Sequence, residues 1–556
     1  MDEWTHFLHD ASGNAVSRDS LVGPPKRLQW VGGPTWARSH EHLASVSALV
    51  SSAGRIFYIV DEGAIAAVTL PPSWFLVARD AFNGVTLWKR PIPAWEPHLR
   101  EFRSGPPNLA RRLVAVRDRV HVTLGYGVPL TALDAATGQT VRTFEGTEGT
   151  EEIILADGVL LVAVAKDVEK RIRAVEAESG KMLWQKQPQA LAPLTLATSD
   201  GRVVYRDGPK VACVDLRTGA PRWESAPTPT TTRVAPWYAP TLVLYRDVVL
   251  LADGQKLTGL SAKTGQTLWS SEVWTGYNSP SDVLVAGGLV WTGKMTSAKD
   301  SGFGVGRDPL TGEIRKQTEA TTSAQIGMAH HRCYRNKATE RYLLLGRAGI
   351  EFLDVSSCQV QMHHWVRGTC QYGVMPANGL LYAPPHACAC YLTAKLNGFN
   401  ALASARVQGS PFTVQGERLE RGGQTPVPKT ENPTPRTDDW PTYRHDPARS
   451  GCSKAAVRPS LRRAWQADVG GKLSAVVVAD GKVFVAAVDS HTVHALDAGS
   501  GRRVWRYTAG GRVDGPPTIA RGLAVFGCAD GWVYCLRAAD GQLVWRFRAA
   551  PEERRI

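Results

Sequence analysis

Long apolar runs are missing from this 556-residue chain: no stretch of about 18 consecutive apolar residues occurs, which excludes a membrane-spanning helix. Charge is scarce as well, at 21% of residues, and the excess of 14 Lys and Arg over Asp and Glu is scattered. Its densest clusters, RHDPARSG and PEERRI, are poorer in Lys and Arg than a nucleic-acid stripe and come with no recognition-helix pattern. The basic balance therefore reads as a solvated surface, and no specific nucleic-acid partner is expected. No phosphate-cradling Gly loop appears, and Ser, His and Asp are too dispersed to nominate a triad. The start, MDEWTHFLHD, has neither a basic n-region nor an apolar h-region. Apolar content is an ordinary 43%, so long disorder is excluded and a large core is affordable.

What is abundant is repetition. One phrase recurs: a small residue, an apolar one, Asp or a substitute, a polar stretch ending in Thr-Gly or Ser-Gly, then Trp or a substitute. It reads ARDAFNGVTLW with Asp80, Gly84 and Trp88, ALDAATGQTVR with Asp134 and Gly138, and AVEAESGKMLW with Gly180 and Trp184. Next come CVDLRTGAPRW with Asp215, Gly219 and Trp223, GLSAKTGQTLW with Gly265 and Trp269, and GRDPLTGEIRK with Asp308 and Gly312. Two later copies are ALDAGSGRRVW with Asp497, Gly501 and Trp505, and CLRAADGQLVW with Gly541 and Trp545. Successive glycines are 54, 42, 39, 46 and 47 residues apart, and the last pair 40, so each period holds one supersecondary unit.

That unit is β. Upstream of most copies stands an Asp-Gly flanked by β-branched and aromatic residues, as in ADGKVFV, DGVLLV and ADGWVY, which signals a tight hairpin. Each repeat thus reads as four short strands. In the closing phrase the Asp, Ser or Thr side chain holds turn N–H groups and Gly takes the left-handed conformation. The Trp then opens the outer strand, where its ring covers the seam to the next sheet and its N–H finds a carbonyl. Four-stranded sheets repeated at this period form β-propeller blades.

The phrase resembles the AxDxxTGxxxW signature of pyrroloquinoline-quinone-type (PQQ-type) propeller repeats. These occur in quinoprotein dehydrogenases and in the propeller lipoprotein of the outer-membrane assembly machinery. The resemblance implies a propeller fold, and counting the copies sets the expectation: all-β, an eight-bladed β-propeller of four-stranded blades followed by an incomplete second propeller. Six copies run from Gly84 to Gly312, a degenerate seventh is FLDVSSCQVQM with Cys358 at the turn position, and an eighth is expected around LNGF at 396–399. The expected domains are a lead-in at 1–27, the ring at 28–415, a Pro-rich linker at 416–437, and a second module at 438–556. The second module restarts like the first: EWTHFLHDASGN aligns with DWPTYRHDPARS, pairing Trp4 with Trp440, His9 with His445 and Asp10 with Asp446. Room for two blades after that lead-in leads to the expectation that the chain is a fragment of a longer two-propeller envelope protein, placed in the periplasm or cell envelope.

For chemistry, the resemblance to quinoprotein dehydrogenases implies an adjacent Cys–Cys pair over the quinone, and no such pair exists in this sequence. CxxCH, needed for a fused cytochrome, is absent too. No cofactor is established, and bound PQQ is not expected. The irregular stretch 328–399 holds the patterns HHRC, HHWVRGTC and HACAC. Its His331, Cys333, Cys370, His386, Cys388 and Cys390 carry the thiolate and imidazole groups that Zn or Cu prefers, and they are the candidate metal ligands. Disulfides and inert buried thiols are the competing readings. Arg335, Lys337, Arg341, Lys395 and Asn397 in the same stretch read as solvated loop residues near the funnel. Two functions remain open: a non-catalytic scaffold binding a protein, peptide or polysaccharide, which the missing Cys pair favours, and a metal- or quinone-dependent oxidoreductase fragment.

Overall fold

The computed structural model of the chain describes residues 2–39, 43–97, 106–166, 169–228, 239–274, 281–293, 302–318, 334–346, 349–387, 396–404, 419–422, 439–457 and 459–549. With 49% strand and 1% helix the protein is all-β. Two compact units divide it, Met1–Gln408 and Gly409–Ile556. Among the described residues the first unit contains eight sheets and the second two, each built on four strands.

The sheet Thr241–Tyr245, Val248–Asp253, Lys256–Ser261, Thr267–Glu272 shows the rule: each strand pairs antiparallel with the next, so one hairpin follows another. Its first three strands are buried over most of their length while the fourth alternates with solvent, so the fourth strand lies outermost. The turn before that outer strand behaves as the repeated phrase requires. At the second copy, Asp134 Oδ1 accepts from the N–H groups of Ala136 (3.1 Å) and Thr137 (2.9 Å), and Gly138 has φ +71°. The conformation, not the residue, is what persists: Cys358, in the degenerate seventh copy, takes φ +58°.

The repeat tryptophans link neighbouring sheets. Trp88, Trp184, Trp223 and Trp269 each donate their indole N–H to a carbonyl in the turn of the following sheet, those of Ala135, Leu216, Ala262 and Pro309, at 2.8–3.0 Å. Each ring also lies on that turn's glycine: a Cβ built on Gly138, Gly219, Gly265 or Gly312 would stand 2.4–2.8 Å from indole carbons. Where the sequence substitutes Trp, a cation takes the place. Arg142 lies on Gly180, and Lys316 Nζ donates to the carbonyls of Val355 (2.9 Å) and Ser356 (3.0 Å).

The eighth sheet joins the two ends of the unit. Its strands Met375–Ala377, Leu380–Ala383 and Phe399–Ser404 come from the end, and its fourth, Pro25–Gly32, comes from the beginning. Trp30 on that strand donates to Ala81 O (2.9 Å) and covers Gly84 of the first sheet, so a seam of the same kind links the eighth sheet to the first. The expected boundary between residues 27 and 28 therefore cuts through a strand. LNGF does not close a fourth strand in its own hairpin, because it leads into the third strand of a sheet whose fourth is supplied from residues 25–32.

In the second unit, Val477–Ala479, Lys482–Ala487, Thr492–Asp497 and Arg503–Thr508 form one sheet. Thr518–Ala520, Leu523–Gly527, Trp532–Arg537 and Leu543–Arg548 form the other, and Leu419–Arg421 adds a fifth strand to it, Arg421 opposite Trp545. Part of the expected linker is thus strand. Trp505 bonds Ala538 O (3.0 Å) and covers Gly541, and Trp465 bonds Ala498 O (2.9 Å) and covers Gly501. The Asp-Gly of ADGWVY joins the second and third strands of its sheet, while Arg521-Gly522 makes the first hairpin.

Candidate functional site

Seven innermost strands of the first unit, and the turn that follows the eighth, meet one segment, residues 2–19, and the sheets are met nearly in chain order. Trp4 exchanges two backbone bonds with Ser51 (3.3 and 2.7 Å), and Ala115 N–H donates to Thr5 O (3.0 Å). Leu155 N–H donates to His6 Nε2 (3.1 Å), Thr198 N–H to Ala11 O (2.9 Å), and Leu244 N–H to Ser12 O (2.9 Å). Asn14 pairs its amide with both backbone groups of Val285 (3.1 and 3.0 Å), and Val16–Ser17 runs parallel to Ala338 and Thr339. The circuit ends where it began, with Asn378 N–H on Asp2 O (2.8 Å) and Gly379 N–H on Asp19 (2.6 Å). These residues lack a strand's regular ladder, so their backbone groups are satisfied by inner strands instead. Trp4, Phe7 and Leu8 are buried.

Charge is concentrated along this thread. His9 is buried with Nε2 2.7 Å from Asp2 and Nδ1 3.4 Å from Asp10. Burial alone would lower its pKa, but the hydrogen bonds and charges of Asp10 and Asp2 outweigh that and raise it to about 9. The same contacts lower Asp2 and Asp10 against the upward push of burial. At His6 and His121 burial wins and pushes them down to about 4 and about 3, the charge of Asp10 offsetting only part of it at His6.

Around the thread, buried ions are paired. Arg111 bonds Glu152 (3.1 Å) and Leu196 O (2.6 Å), and Glu152 also receives Leu194 N–H (2.7 Å). Asp282 accepts from the backbone and side chain of Asn336 (3.1 and 2.8 Å), and burial still pushes its pKa up to about 6. Arg335 and Lys337 are not solvated loop residues: they are 5% and 1% exposed. Lys337 Nζ donates to Tyr372 O (2.6 Å), stands 3.4 Å from the Tyr372 ring centroid, and burial holds its pKa well below the usual lysine range. Arg341 does behave as expected, half-exposed and paired with Asp354 at 2.8 Å. Asn397 is exposed, and Lys395 lies outside the described residues.

Of the six candidate metal ligands, His331, Cys333, Cys388 and Cys390 lie outside the described residues. Cys370 is buried and His386 half-buried. Among the described residues no three His, Cys, Asp or Glu side chains gather as a metal-holding group. A cavity of about 280 Å³ lies elsewhere, lined by Glu96, Asn108, Arg112, Tyr126 and Glu151 among others. Arg112 is committed to Glu96 (2.7 Å), Thr123 (2.9 Å) and the carbonyls of Trp95 and Gly125 (2.9 and 2.8 Å), so it braces the wall.

The sequence profile of the family described as outer membrane protein assembly factor BamB matches residues 74–207, 168–341 and 455–555, together about two thirds of the chain. No curated protein matches in sequence. Among solved structures, BamB from Moraxella catarrhalis is similar at 14% identity and TM-score 0.40, over 67% of this chain and 99% of its own. Quinohemoprotein alcohol dehydrogenase from Comamonas testosteroni is similar at 14% identity and TM-score 0.36, over 99% of this chain and 81% of its own. Among the described residues no helix is long and apolar enough to cross a membrane.

Proposed function

This chain belongs to the PQQ-type repeat family described as outer membrane protein assembly factor BamB, and we propose that within it the protein is a non-catalytic scaffold for a protein or peptide partner in the cell envelope. The eight sheets of residues 1–408 are read as eight blades of one closed ring, and the two sheets after residue 439 as blades of a second propeller. The observation that carries the reading is the thread: residues 2–19 bond backbone groups of seven inner strands and of the turn after the eighth, so the middle of the first unit is filled by its own chain. The buried ions there bond one another or the backbone, which suits a rigid core better than a redox pocket.

The test is retention of cofactor. The purified full chain is incubated with PQQ and Ca²⁺, and separately with Zn²⁺ or Cu⁺, then gel-filtered and read by absorbance and metal analysis. Neither quinone nor metal should stay at stoichiometric level. A stoichiometric quinone, or a metal bound one to one with accompanying alcohol oxidation, would replace the scaffold by an oxidoreductase.

A further inference from the structure

One short element stands in this chain twice, once saturated and once nearly bare. In the first unit Trp4 and His9 meet edge to face, ring centroids 5.2 Å apart at 69°, and His9 has φ +69°. In the second, Trp440 and His445 meet at 5.1 Å and 65°, and His445 has φ +77°. The turns share one bond, Asp10 N–H to Leu8 O (2.9 Å) and Asp446 N–H to Arg444 O (3.0 Å), and differ in another: His6 N–H donates to His9 O (3.1 Å) in the first copy, whereas His445 N–H donates to Thr442 O (3.0 Å) in the second, where Arg444 also takes φ +60°. Both aspartates then cap the following chain, Asp10 receiving Ser12 N–H (2.9 Å) and Asp446 receiving Ser450 N–H (3.0 Å). Even the first contacts repeat, for Trp440 exchanges two bonds with Val478 and Ile519 N–H donates to Pro441 O.

What differs is the company. The first copy bonds to all eight sheets, at seven inner strands and the turn after the eighth; the second, among the described residues, touches the inner strands of two sheets. Phe7 is 3% exposed, whereas Tyr443 at the aligned position is 52% exposed. The Trp–His contact and the left-handed His are therefore kept where, among the described residues, fewer inner strands surround the element. A peptide that holds these features beforehand loses less entropy when inner strands close around it. The strands, for their part, receive it chiefly through the N–H groups of Ala115, Thr198, Leu244, Ala338 and Asn378, which take backbone carbonyls of any sequence. Selectivity lies in few places: the buried Trp4, whose indole N–H closes on Phe7 O (3.1 Å), the His-Asp turn, and the Asn14 amide.

We propose that the inner strands of residues 1–408 form a receptor for an extended peptide carrying Trp and, five residues on, His-Asp, and that residues 2–19 are such a ligand held in cis. The proposal rests on the scaffold reading and deepens it, since it names the partner class as a peptide that displaces this thread. The connection is suited to exchange: Ser20 is exposed, between the thread and the outer strand Pro25–Gly32.

The experiment inserts a protease site after Ser20 in the full chain, cuts it, and adds fluorescent synthetic peptide of residues 2–20. Unlabelled peptides of residues 2–20 and 438–456, and a scrambled 2–20, compete. The cut protein should stay folded, retain its thread on gel filtration, and take up label in exchange. Both native-sequence peptides should compete at least tenfold better than the scramble. A second variant avoids the insertion: in uncut Trp4→Ala, added 2–20 peptide should raise Tm by several degrees, and the scramble should not. No uptake and no Tm rise would make the thread a fixed core element and overturn the proposal, as would equal binding of the scramble. Quinone retention, measured on the uncut parent, strikes the scaffold reading by itself, so the two failures are distinguishable.

Discussion

Replacing Trp269 with Ala removes a seam, and the structure sets the size of the effect. The indole is 9% exposed, donates to Pro309 O at 2.9 Å, and lies against Gly312, whose hypothetical Cβ would stand 2.6 Å from two of its ring carbons. A Trp side chain buries roughly 150–250 Å², worth about 4–6 kcal/mol at 25 cal/mol per Å². Methyl burial retained by Ala and relaxation of the gap bring the expected loss to about 3–5 kcal/mol. Gly312→Ala attacks the same seam from the other side. At φ +73° an Ala costs about 1–2 kcal/mol for the left-handed backbone, and collision with the indole adds a comparable amount. In the double variant the ring is gone, so only the backbone cost remains, and the double mutant should be less destabilised than the sum by about 1–2 kcal/mol. Denaturant unfolding followed by circular dichroism gives the four corners of the cycle, and hydrogen exchange of Thr267–Glu272 shows whether loss begins at this seam. Additivity within about 0.5 kcal/mol, or a Trp269→Ala loss under about 1 kcal/mol, would refute the seam reasoning.

Three more outcomes are expected. Stability should peak near pH 6.5: His9, raised to about 9, contributes fully below 6.5 and loses its contribution as pH climbs through 9, while His6 and His121, lowered to about 4 and 3, cost stability as pH falls below 6.5. Asp282, raised to about 6, opposes that acid loss; His9→Gln should flatten the alkaline limb of a Tm-against-pH curve and, because the His9 contacts are what lower Asp2 and Asp10, should also reshape the acid limb. Glu152→Gln leaves Arg111, 5% exposed, without its counter-ion, so urea titration should show about 3–5 kcal/mol lost; a change below 1 would mean the pair is solvated. Asp134→Ala frees the N–H groups of Ala136 and Thr137 in a buried turn and should lower stability by about 1–3 kcal/mol in the same assay.

The turns and seams were legible because local chemistry writes them. Only Gly accepts φ near +75° cheaply, Asp caps the turn two and three residues on, and Trp or a cation follows at fixed spacing, so the eight copies announce eight of the ten sheets, six in the first unit and two in the second. The strand Pro25–Gly32 was not legible as part of the eighth sheet, since its partner Phe399–Ser404 lies more than 350 residues away and no local rule connects them. Arg335 and Lys337 misled for a related reason. A polar run such as RNKATERY looks solvated until Asp282, Thr241 and Tyr372, distant in sequence, supply partners that make burial tolerable.

The lead-in separates what alignment reads from what it cannot. Pairing Trp4 with Trp440 and His9 with His445 was visible as similarity, yet similarity alone gave the segment no place in the fold. Its place is fixed by carbonyls: Thr5, Ala11, Ser12 and Ala15 accept from four different inner strands, and a carbonyl carries no sequence signature. The side chains that do carry one, Trp4, His9, Asp10 and Asn14, hold the thread's own turn or a single strand. A segment built this way is constrained at few positions and bound at many. That is why its second copy, with Tyr443 and Arg444 where Phe7 and Leu8 stand, keeps the Trp–His contact and the left-handed His while rearranging the turn between them and leaving Tyr443 52% exposed.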